Sequence, residues 1–401
     1  MRSIHTERLI LLGKVLENPA IAAYADAVRG DDPAGYAHAY SLLLRDGMQN
    51  SLSACIENAV LRDENLFSVR SFSDGADPDV TAAFLYDLNT LQRLAESADD
   101  LPPAIREAID EGLPKIGCGK SDALFGEIWA TEKTAANLAA FYKKNGYGIF
   151  IGNKAFTFER GALVPVRNTS NISLADLKDY EQEKRAVEDN VISFLEGLPY
   201  SNMLLYGDKG TGKSSTIHAV LNKYADRGLR AVEIPKSQIG EINELKELLA
   251  SLPFRFLIFI DDLSLEERDE KVTCLKASLE GSMNEKSANV MIAATSNRRH
   301  ILKENFSDRE NSVHARDTME EQLSLSDRFG LTVCFSSTGK AEYLSIVRQL
   351  AADVQIPLSD EELCSLAERW AIVKGGRSPR RAKQFIDYVF ACCAKKIEID
   401  I

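Results

Sequence analysis

The sequence lacks an apolar run long enough to cross a bilayer, because a membrane-spanning helix needs about 20 consecutive apolar residues. Near the amino terminus the apolar stretch Leu9–Leu12 is too short, and too closely flanked by charge, for a secretory signal. The seven cysteines are an odd number without paired spacing, and Cys392 and Cys393 are adjacent. A disulfide framework or zinc site is therefore not expected, and we expect a cytoplasmic protein with reduced thiols and no membrane partner.

Positive charge is also in short supply, since 48 Lys and Arg residues face 60 Asp and Glu residues and give a net charge of −12. Non-specific affinity for nucleic acid comes mainly from neutralising phosphates, so a nucleic-acid partner is possible but disfavoured. A hydrophobic content of 45% and a charged content of 27% are ordinary for a globular protein. The length of 401 residues allows two or three domains.

The most informative stretch is a glycine-rich segment between two patterned regions. Met203–Tyr206 predicts a short buried strand, and the apolar spacing from Ser215 to Leu221 predicts a helix. A glycine-rich loop that ends in Gly-Lys-Ser in this context is typical of phosphate binding, because its backbone N–H groups and the helix dipole both favour an anion. We predict a nucleoside triphosphate site formed by Gly207, Asp208, Lys209, Gly210, Thr211, Gly212, Lys213, Ser214 and Ser215.

Two carboxylates follow a second predicted strand. Phe256–Ile260 is apolar throughout, as a central parallel strand buried on both faces requires, and Asp261 and Asp262 come directly after it. Ligands gather at the carboxyl ends of such strands, so Asp261 is predicted to hold Mg²⁺ through water, with the Ser214 hydroxyl as a ligand. Asp262 is predicted to orient or deprotonate the attacking water, and Lys213 to contact the β- and γ-phosphates. An acidic turn after a core strand is the alternative.

A third predicted strand, Asn289–Ala294, is followed by Asn297. An amide at this strand end can bind a γ-phosphate or the attacking water, although a plain turn residue is the alternative. Arg328 stands just before a further predicted strand, Leu331–Phe335. It is a candidate for reaching the nucleotide of a neighbouring subunit, where such an arginine can raise the rate by about 10³–10⁵. A surface ion pair is the alternative for Arg328.

Two more arginines, Arg377 and Arg380, open a predicted helix near the carboxyl terminus. Either one can reach over the phosphates from a helical lid, and the sequence does not decide between them. A solvated basic helix start is the alternative.

The order of these motifs resembles that of AAA+ ATPases over about residues 172–396. More specifically, the sequence is similar to a bacterial AAA+ family known as domain of unknown function 815, and the hairpin and linker before Asn171 match that family as well. The resemblance implies an α/β core with a parallel sheet flanked by helices, a carboxyl-terminal helical lid, ATP and Mg²⁺ as cofactors, and a homo-oligomeric ring or partial ring. The stretches that carry it are Gly210–Ser215, Asp261–Ser264, Leu279–Gly281, Ala294–His300, Ser324–Leu331 and Gly376–Ser378.

Two departures from the wider AAA+ pattern stand out. Many AAA+ proteins have Asp-Glu where this chain has Asp261 and Asp262, and the shorter side chain predicts a slower or closure-dependent reaction, although the resembled family shares the pair. Lys178, Asp179 and Tyr180 occupy a position where a glycine is usual in the adenine-contacting loop. Neither the guanine-reading Asn-Lys-x-Asp motif nor the transporter signature Leu-Ser-Gly-Gly-Gln follows the phosphate loop, so neither a GTPase nor a transporter ATPase is expected.

The patterns divide the chain into a mostly helical amino-terminal domain, a hairpin with a linker, the α/β core and the lid. The predicted bounds are 1–147, 148–171, 172–339 and 340–401. Within these, we predict helices over residues 79–98 and 123–143, and hairpin strands at Ile149–Ile151 and Ala155–Phe158.

The leading functional hypothesis is an ATP-hydrolysing AAA+ protein that acts on an unknown protein or protein–nucleic acid complex. The alternative is a slowly hydrolysing, ATP-dependent loader or binding switch. A DNA-binding initiator is less favoured, because the sequence ends shortly after the predicted lid and Arg298–His300 is the notable basic cluster near the core.

Overall fold

The computed structural model describes residues 4–73, 75, 77–266, 270–279, 288–297, 302–303 and 327–401. The chain divides into two compact units, Met1–Asn153 and Lys154–Ile401. The sequence places its first domain boundary after residue 147, a few residues before this division.

The first unit is helical. Its described helices are α1 (Pro19–Gly30), α2 (Pro33–Arg45), α3 (Leu52–Arg62), α4 (Leu66–Phe72), α5 (Pro78–Glu96), α6 (Pro103–Asp110) and α7 (Glu132–Asn145). Local sequence explains several starts, since Asn18, Asp32 and Thr131 each accept hydrogen bonds from backbone N–H groups of the following turn. Large aromatic side chains, among them Tyr24 and Trp129, are fully buried in this unit.

The predicted helix over residues 79–98 corresponds to α5, but the helix predicted from residue 123 begins only at Glu132. Gly126 has a φ of 70°, a left-handed conformation that interrupts a helix, and the Thr131 side chain caps the first turn of α7. The apolar residues before Glu132 therefore lie in turns and not in a helix. Their spacing along the sequence does not distinguish these two arrangements.

The hairpin is shorter than predicted. Gly148–Phe150 forms a 3-10 turn instead of a strand, because Gly148 has a φ of 53°, which a strand does not accommodate. The hairpin itself consists of β1 (Ala155–Glu159) and β2 (Ala162–Pro165), which pair antiparallel. Arg160 and Gly161 join them with positive φ values of 52° and 78°, as a tight two-residue hairpin turn requires.

The second unit is built on a sheet. The remaining strands are β3 (Met203–Gly207), β4 (Leu229–Glu233), β5 (Arg255–Ile260), β6 (Leu265–Glu266), β7 (Val290–Ser296), β8 (Leu302–Lys303) and β9 (Leu331–Phe335). Seven strands form one sheet in the order β2-β1-β4-β5-β7-β3-β9, in which every described pair except β1–β2 is parallel. The short strands β6 and β8 pair separately, also in parallel. The strands predicted from apolar runs are confirmed as β3, β5, β7 and β9.

Helices flank this sheet and form the lid. They are α8 (Glu181–Glu196), α9 (Lys213–Tyr224), α10 (Ile242–Ala250), α11 (Glu270–Leu279), α12 (Lys340–Asp353), α13 (Asp360–Val373) and α14 (Pro379–Lys395). The last three are the predicted lid and share a core of buried side chains that includes Ile346, Ala367, Phe385 and Val389. Within the described ranges, no helix has both the length and the apolar character that a membrane crossing needs.

Parallel strands bring their carboxyl ends to one edge of the sheet. The register places Tyr206 of β3 opposite Ser296 of β7, and Ile260 of β5 opposite Ala294 of β7. The loops that follow β3, β5 and β7 therefore meet at that edge, where ligands of open α/β sheets collect.

Candidate nucleotide-binding site

The glycine-rich loop connects the end of β3 to the start of α9. Gly207 has a φ of 136°, and a Cβ atom there would lie 1.9 Å from the Phe335 carbonyl oxygen, so only glycine fits. Gly212 has a φ of 99° and directly precedes the first residue of α9, Lys213. The loop thus turns tightly onto a helix amino terminus, where unpaired N–H groups and the helix dipole favour an anion.

Lys213 is buried at the start of α9 and reaches back across the loop. Its Nζ atom donates to the carbonyl oxygens of Gly207 at 2.9 Å and Asp208 at 2.7 Å, and lies 3.4 Å from Asn297 Oδ1. Burial lowers the pKa of this ammonium group, while the nearby Asp208 and Asp261 carboxylates oppose the shift. The ammonium group therefore lies beside the loop, where carbonyl and amide oxygens accept its hydrogen bonds. A phosphate oxygen is an acceptor of the same kind.

Ser214 and Asp261 form an oxygen-rich corner next to Lys213. The Ser214 hydroxyl donates to Asp261 Oδ1 at 2.6 Å, and the Thr295 hydroxyl donates to the same oxygen at 2.5 Å. Hydroxyl and carboxylate oxygens are suitable Mg²⁺ ligands, and Mg²⁺ bound with a nucleotide takes its remaining ligands from phosphates and water. The described residues contain no cluster of three or more His, Cys, Asp or Glu side chains that could hold a metal ion.

Asp262 has a different environment from its neighbour. Its backbone has a φ of 50°, and its N–H donates to the Thr295 hydroxyl at 2.9 Å. The Asn297 side-chain amide donates to Asp262 Oδ1 at 2.6 Å, and Lys236 Nζ lies 3.8 Å from Asp262 Oδ2. The carboxylate therefore stands between an amide and an ammonium group, while 61% of the side chain remains exposed. This exposure leaves room for a water molecule or a phosphate beside it.

Lys236 was not identified from the sequence. It begins a 3-10 helix after β4, and its ammonium group also donates to the Ser264 hydroxyl at 3.0 Å. Thr295 was likewise assigned no role, although its hydroxyl group links the backbone of Asp262 to the side chain of Asp261. No motif marks Lys236, which reaches the site through the sheet topology, whereas Thr295 stands in the Ala294–His300 stretch that carries the family resemblance, two residues before Asn297.

The two lid arginines have different surroundings. Arg380 lies at the start of α14 and lines the cavity, and its backbone N–H donates to the Gly210 carbonyl oxygen at 3.1 Å. Arg377 instead forms a two-bond ion pair with Glu368, at 3.0 and 2.8 Å, and this pairing raises its pKa. The structure thus brings Arg380 to the phosphate-binding loop, and it holds Arg377 within the lid.

Arg328 lies at the opposite end of the sheet from the loop. It precedes β9, an edge strand whose carboxyl end contacts the loop through a 3.3 Å bond from the Asp208 N–H to the Phe335 carbonyl oxygen. Five strand residues span roughly 17 Å, and Arg328 is not among the described residues that line the cavity. The structure therefore does not bring Arg328 to the nucleotide site of its own chain.

A cavity of about 850 Å³ joins these groups. One end is polar and contains the glycine-rich loop, Asp261, Asp262 and Asn297. The other end, the more apolar of the two, is lined by side chains from the segment before α8 and from the lid. Some of them are charged, such as Lys178 and Asp353, and others are apolar: Ile172, Leu177, Ile346, Leu350 and Val354. The size and this lining suit a ligand with an anionic end and a flat ring that carries polar atoms.

Some sequence predictions lie outside the described residues. These are the basic cluster Arg298–His300 and the family-like positions at 280–281 and 324–326.

The strand order and the site together define an AAA+ P-loop nucleotide-binding fold, because the loop follows β3, the acidic pair follows β5, and the polar end of β7 lies between them. Residues 152–392 match the family model described as "Protein of unknown function (DUF815)". The match covers more than half of the chain, and the chain belongs to this family. No curated protein gives a significant match.

Solved structures that resemble the chain include the RuvB Holliday junction branch migration motor of Thermotoga maritima, with 16% sequence identity and a TM-score of 0.39. The similarity covers 56% of this chain and 66% of that one, which is just under two thirds. A variant of the same protein aligns at 16% identity, 56% and 67% coverage and a TM-score of 0.38. Another aligns at 15% identity, 57% and 67% coverage and a TM-score of 0.39. These values are too low to support statements about activity or partners.

Proposed function

We propose that this protein binds Mg-ATP in the cavity and hydrolyses it to drive a conformational change in a protein or protein–nucleic acid partner. The observation that supports this most strongly is the meeting of Lys213, Ser214 and Asp261 at the carboxyl ends of the strands. A point charge, a hydroxyl group and a carboxylate beside a helix amino terminus are the groups that a Mg²⁺-bound triphosphate requires.

Different groups of this chain have separate proposed roles in binding and hydrolysis. The loop N–H groups and Lys213 bind the phosphates, and Ser214 and Asp261 would hold Mg²⁺, which supplies charge neutralisation at the β- and γ-phosphates. Asp262 orients the attacking water or takes its proton, since Asp261 Oδ1 already accepts hydrogen bonds from the Ser214 and Thr295 hydroxyls. Asn297 positions the water or the γ-phosphate, because its amide lies between Lys213 and Asp262.

We propose adenine as the base. The apolar end of the cavity suits a purine ring, and the sequence lacks the Asn-Lys-x-Asp motif that reads guanine. Competition between ATP and GTP for the site tests this assignment, and a tenfold preference for GTP would overturn it.

We further propose a homo-oligomeric ring or partial ring in which Arg328 acts on the nucleotide of a neighbour. Its position beside the edge strand β9, away from its own cavity, supports this role. Head-to-tail contacts of this kind generate rings, and the planar guanidinium group suits phosphate oxygens in a way that lysine does not match.

A slowly hydrolysing loader or binding switch is the second candidate. One observation favours it: the short Asp262 side chain is already bound to Asn297 and lies near Lys236. A carboxylate restrained on both sides has to exchange these contacts before it can reach a water molecule. Steady-state ATP turnover with and without DNA distinguishes this switch and a DNA-binding initiator from the leading proposal.

The direct test of binding is thermal unfolding with and without Mg-ATP. A ligand present at about 1,000 times its Kd stabilises the folded state by about 4 kcal/mol. Lys213→Ala is expected to lose most of this shift, whereas Lys395→Ala, at the exposed end of α14, is expected to keep it. An equal shift in both variants would contradict the assignment of the loop.

A further inference from the structure

Lys178 and Asp353 form an ion pair at the apolar end of the cavity. The distance between Lys178 Nζ and Asp353 Oδ2 is 2.9 Å. Lys178 lies in the segment before α8, whereas Asp353 is the last residue of the lid helix α12. Both residues line the cavity, so the pair connects the core side of the apolar end directly to the lid.

The ion pair is partly shielded from water. Only 17% of the Lys178 side chain is exposed, compared with 55% for Asp353, and Lys178 also donates to the Ala175 carbonyl oxygen at 3.2 Å. Fully exposed ion pairs contribute little because water and salt screen them, whereas partial burial strengthens the attraction. The lid contains a suitable comparison, Arg348 with Asp360, whose side chains are 49% and 60% exposed and do not line the cavity.

The backbone beside Lys178 is strained. Asp179 has a φ of 69° and Tyr180 has a φ of 60°, so two consecutive residues with side chains adopt the left-handed region. Such a conformation is unfavourable for residues that carry a Cβ atom and persists where surrounding contacts fix it. A segment held under strain returns to other conformations when one of its contacts is removed.

Two of the other fixing contacts hold the segment to the core. The Tyr180 hydroxyl donates to the Ser336 carbonyl oxygen at 2.6 Å, and the buried Lys184 ammonium group donates to the Leu177 carbonyl oxygen at 2.6 Å. The Lys178–Asp353 pair is the described ion pair that ties the segment to the lid. The pair therefore helps to hold this segment against the lid, while the Tyr180 and Lys184 hydrogen bonds hold it against the core.

We propose that Lys178 and Asp353 form a clasp that keeps the base end of the cavity closed and so sets how long a nucleotide stays bound. The proposal rests on the nucleotide site proposed above and extends it to the control of release. The clasp acts on the base and ribose, which lie between the segment and the lid, and not on the phosphates, which the loop binds. Opening the clasp therefore speeds the release of ATP and ADP alike and leaves the binding of inorganic tripolyphosphate unchanged.

The experiment measures the release of fluorescently labelled ADP by stopped-flow displacement with unlabelled ATP. Lys178→Ala and the conservative Asp353→Asn are each expected to speed release by roughly two- to fivefold, as loss of a partly exposed ion pair predicts. The charge-exchange double variant, Lys178→Asp with Asp353→Lys, is expected to recover a large part of the slow release. Arg348→Ala removes a lid ion pair outside the cavity and is expected to release the nucleotide at the wild-type rate.

Two further measurements distinguish the loss of the clasp from a general loss of structure. Tripolyphosphate affinity and the unfolding temperature without nucleotide are expected to stay near their wild-type values in both single variants. The clasp is refuted if the single variants release ADP at the wild-type rate, if Arg348→Ala speeds release equally, or if tripolyphosphate binding weakens in parallel. If the wild-type protein binds no nucleotide, the proposed function itself is refuted. If the wild type binds nucleotide in a way that depends on Lys213, but the clasp variants have no effect on release, only the clasp is refuted.

Discussion

The side-chain amide of Asn297 donates a 2.6 Å hydrogen bond to the carboxylate of Asp262. The two residues come from neighbouring strands, β7 and β5, and lie 35 positions apart in the sequence. The group proposed to bind the γ-phosphate or water and the group proposed to activate the water are therefore in direct contact. The Asn297 amide keeps a second N–H that a phosphate or water can accept while the bond to Asp262 stays in place, so the two side chains are expected to act as a unit.

This contact predicts non-additive effects on turnover. Asn297→Ala and Asp262→Asn are each expected to lower the ATP turnover number by a factor on the order of 10²–10⁴, with little change in ATP affinity. The double variant is expected to turn over about as slowly as the worse single variant, because residues in one hydrogen-bonding unit show coupled effects. Steady-state phosphate release from the four proteins measures the coupling, and fully multiplicative losses would show that the residues act independently.

The lid arginines predict two distinct defects. Arg380→Ala is expected to weaken ATP binding or turnover at least tenfold, because Arg380 lines the cavity beside Gly210. Arg377→Ala is expected to lower the unfolding temperature instead, since it leaves Glu368, whose side chain is only 17% exposed, with Lys340 as its remaining ion-pair partner at 3.4 Å. Thermal unfolding and ATP titration of both variants check the assignment, and a reversal of the two defects would make Arg377 the lid residue that acts on the nucleotide.

The position of Arg328 predicts catalysis between subunits. Arg328→Ala is expected to keep its ATP affinity but lose turnover by about 10³-fold or more, and wild-type turnover per subunit is expected to rise with protein concentration. Mixing Arg328→Ala with Lys213→Ala is expected to restore part of the activity, because some interfaces then combine an intact loop with an intact arginine. The trans-acting role is wrong if the mixture stays inactive while the two variants assemble together.

Glu57 in the first unit predicts a pH-dependent stability. Its side chain is buried, one carboxylate oxygen accepts the Asp122 N–H at 3.1 Å, and the other has no hydrogen-bond partner among the described residues. Burial raises the pKa of this carboxyl above its ordinary value of 4.5. The folded chain therefore holds the proton to a higher pH than the unfolded chain, and this group reduces stability as the pH rises through the interval between the two pKa values.

Glu57→Gln removes the buried charge and is expected to raise the unfolding temperature at pH 8, by roughly 2–4 °C for each kcal/mol recovered. The gain is expected to shrink as the pH falls towards the raised pKa of Glu57, because the wild-type carboxyl is then increasingly protonated in the folded state. Glu64→Gln, at an exposed position nearby, serves as the control and is expected to show no such trend. A gain independent of pH, or a loss at pH 8, would contradict this account.

The sequence predicts the framework of the site because local patterns determine it. Met203–Tyr206 and Phe256–Ile260 are apolar throughout, as strands buried on both faces must be, and their following polar residues reach one sheet edge through parallel pairing. The fold class is confirmed on this basis. The roles of the individual side chains at the edge stay predictions until they are tested.

What the sequence does not predict depends on distant contacts. Lys236 approaches Asp262, and Lys178 pairs with Asp353, only through tertiary structure, so spacing along the chain gives no signal for either. Arg377 and Arg380 look equivalent in the sequence, and tertiary contacts separate them, since Arg377 pairs with Glu368 and Arg380 lies against Gly210. The strand predicted at residues 149–151 is wrong because three apolar residues are too few to outweigh the backbone conformation of Gly148.

The most direct test of the central claim is Mg²⁺-dependent phosphate release from ATP by the wild-type protein and by Asp262→Asn, with ATP binding measured on the same samples. The account predicts that both proteins bind ATP with similar affinity, that the wild type releases phosphate only when Mg²⁺ is present, and that Asp262→Asn holds ATP without turnover. Wild-type protein that binds no ATP, or an Asp262→Asn variant that releases phosphate at the wild-type rate, would contradict it.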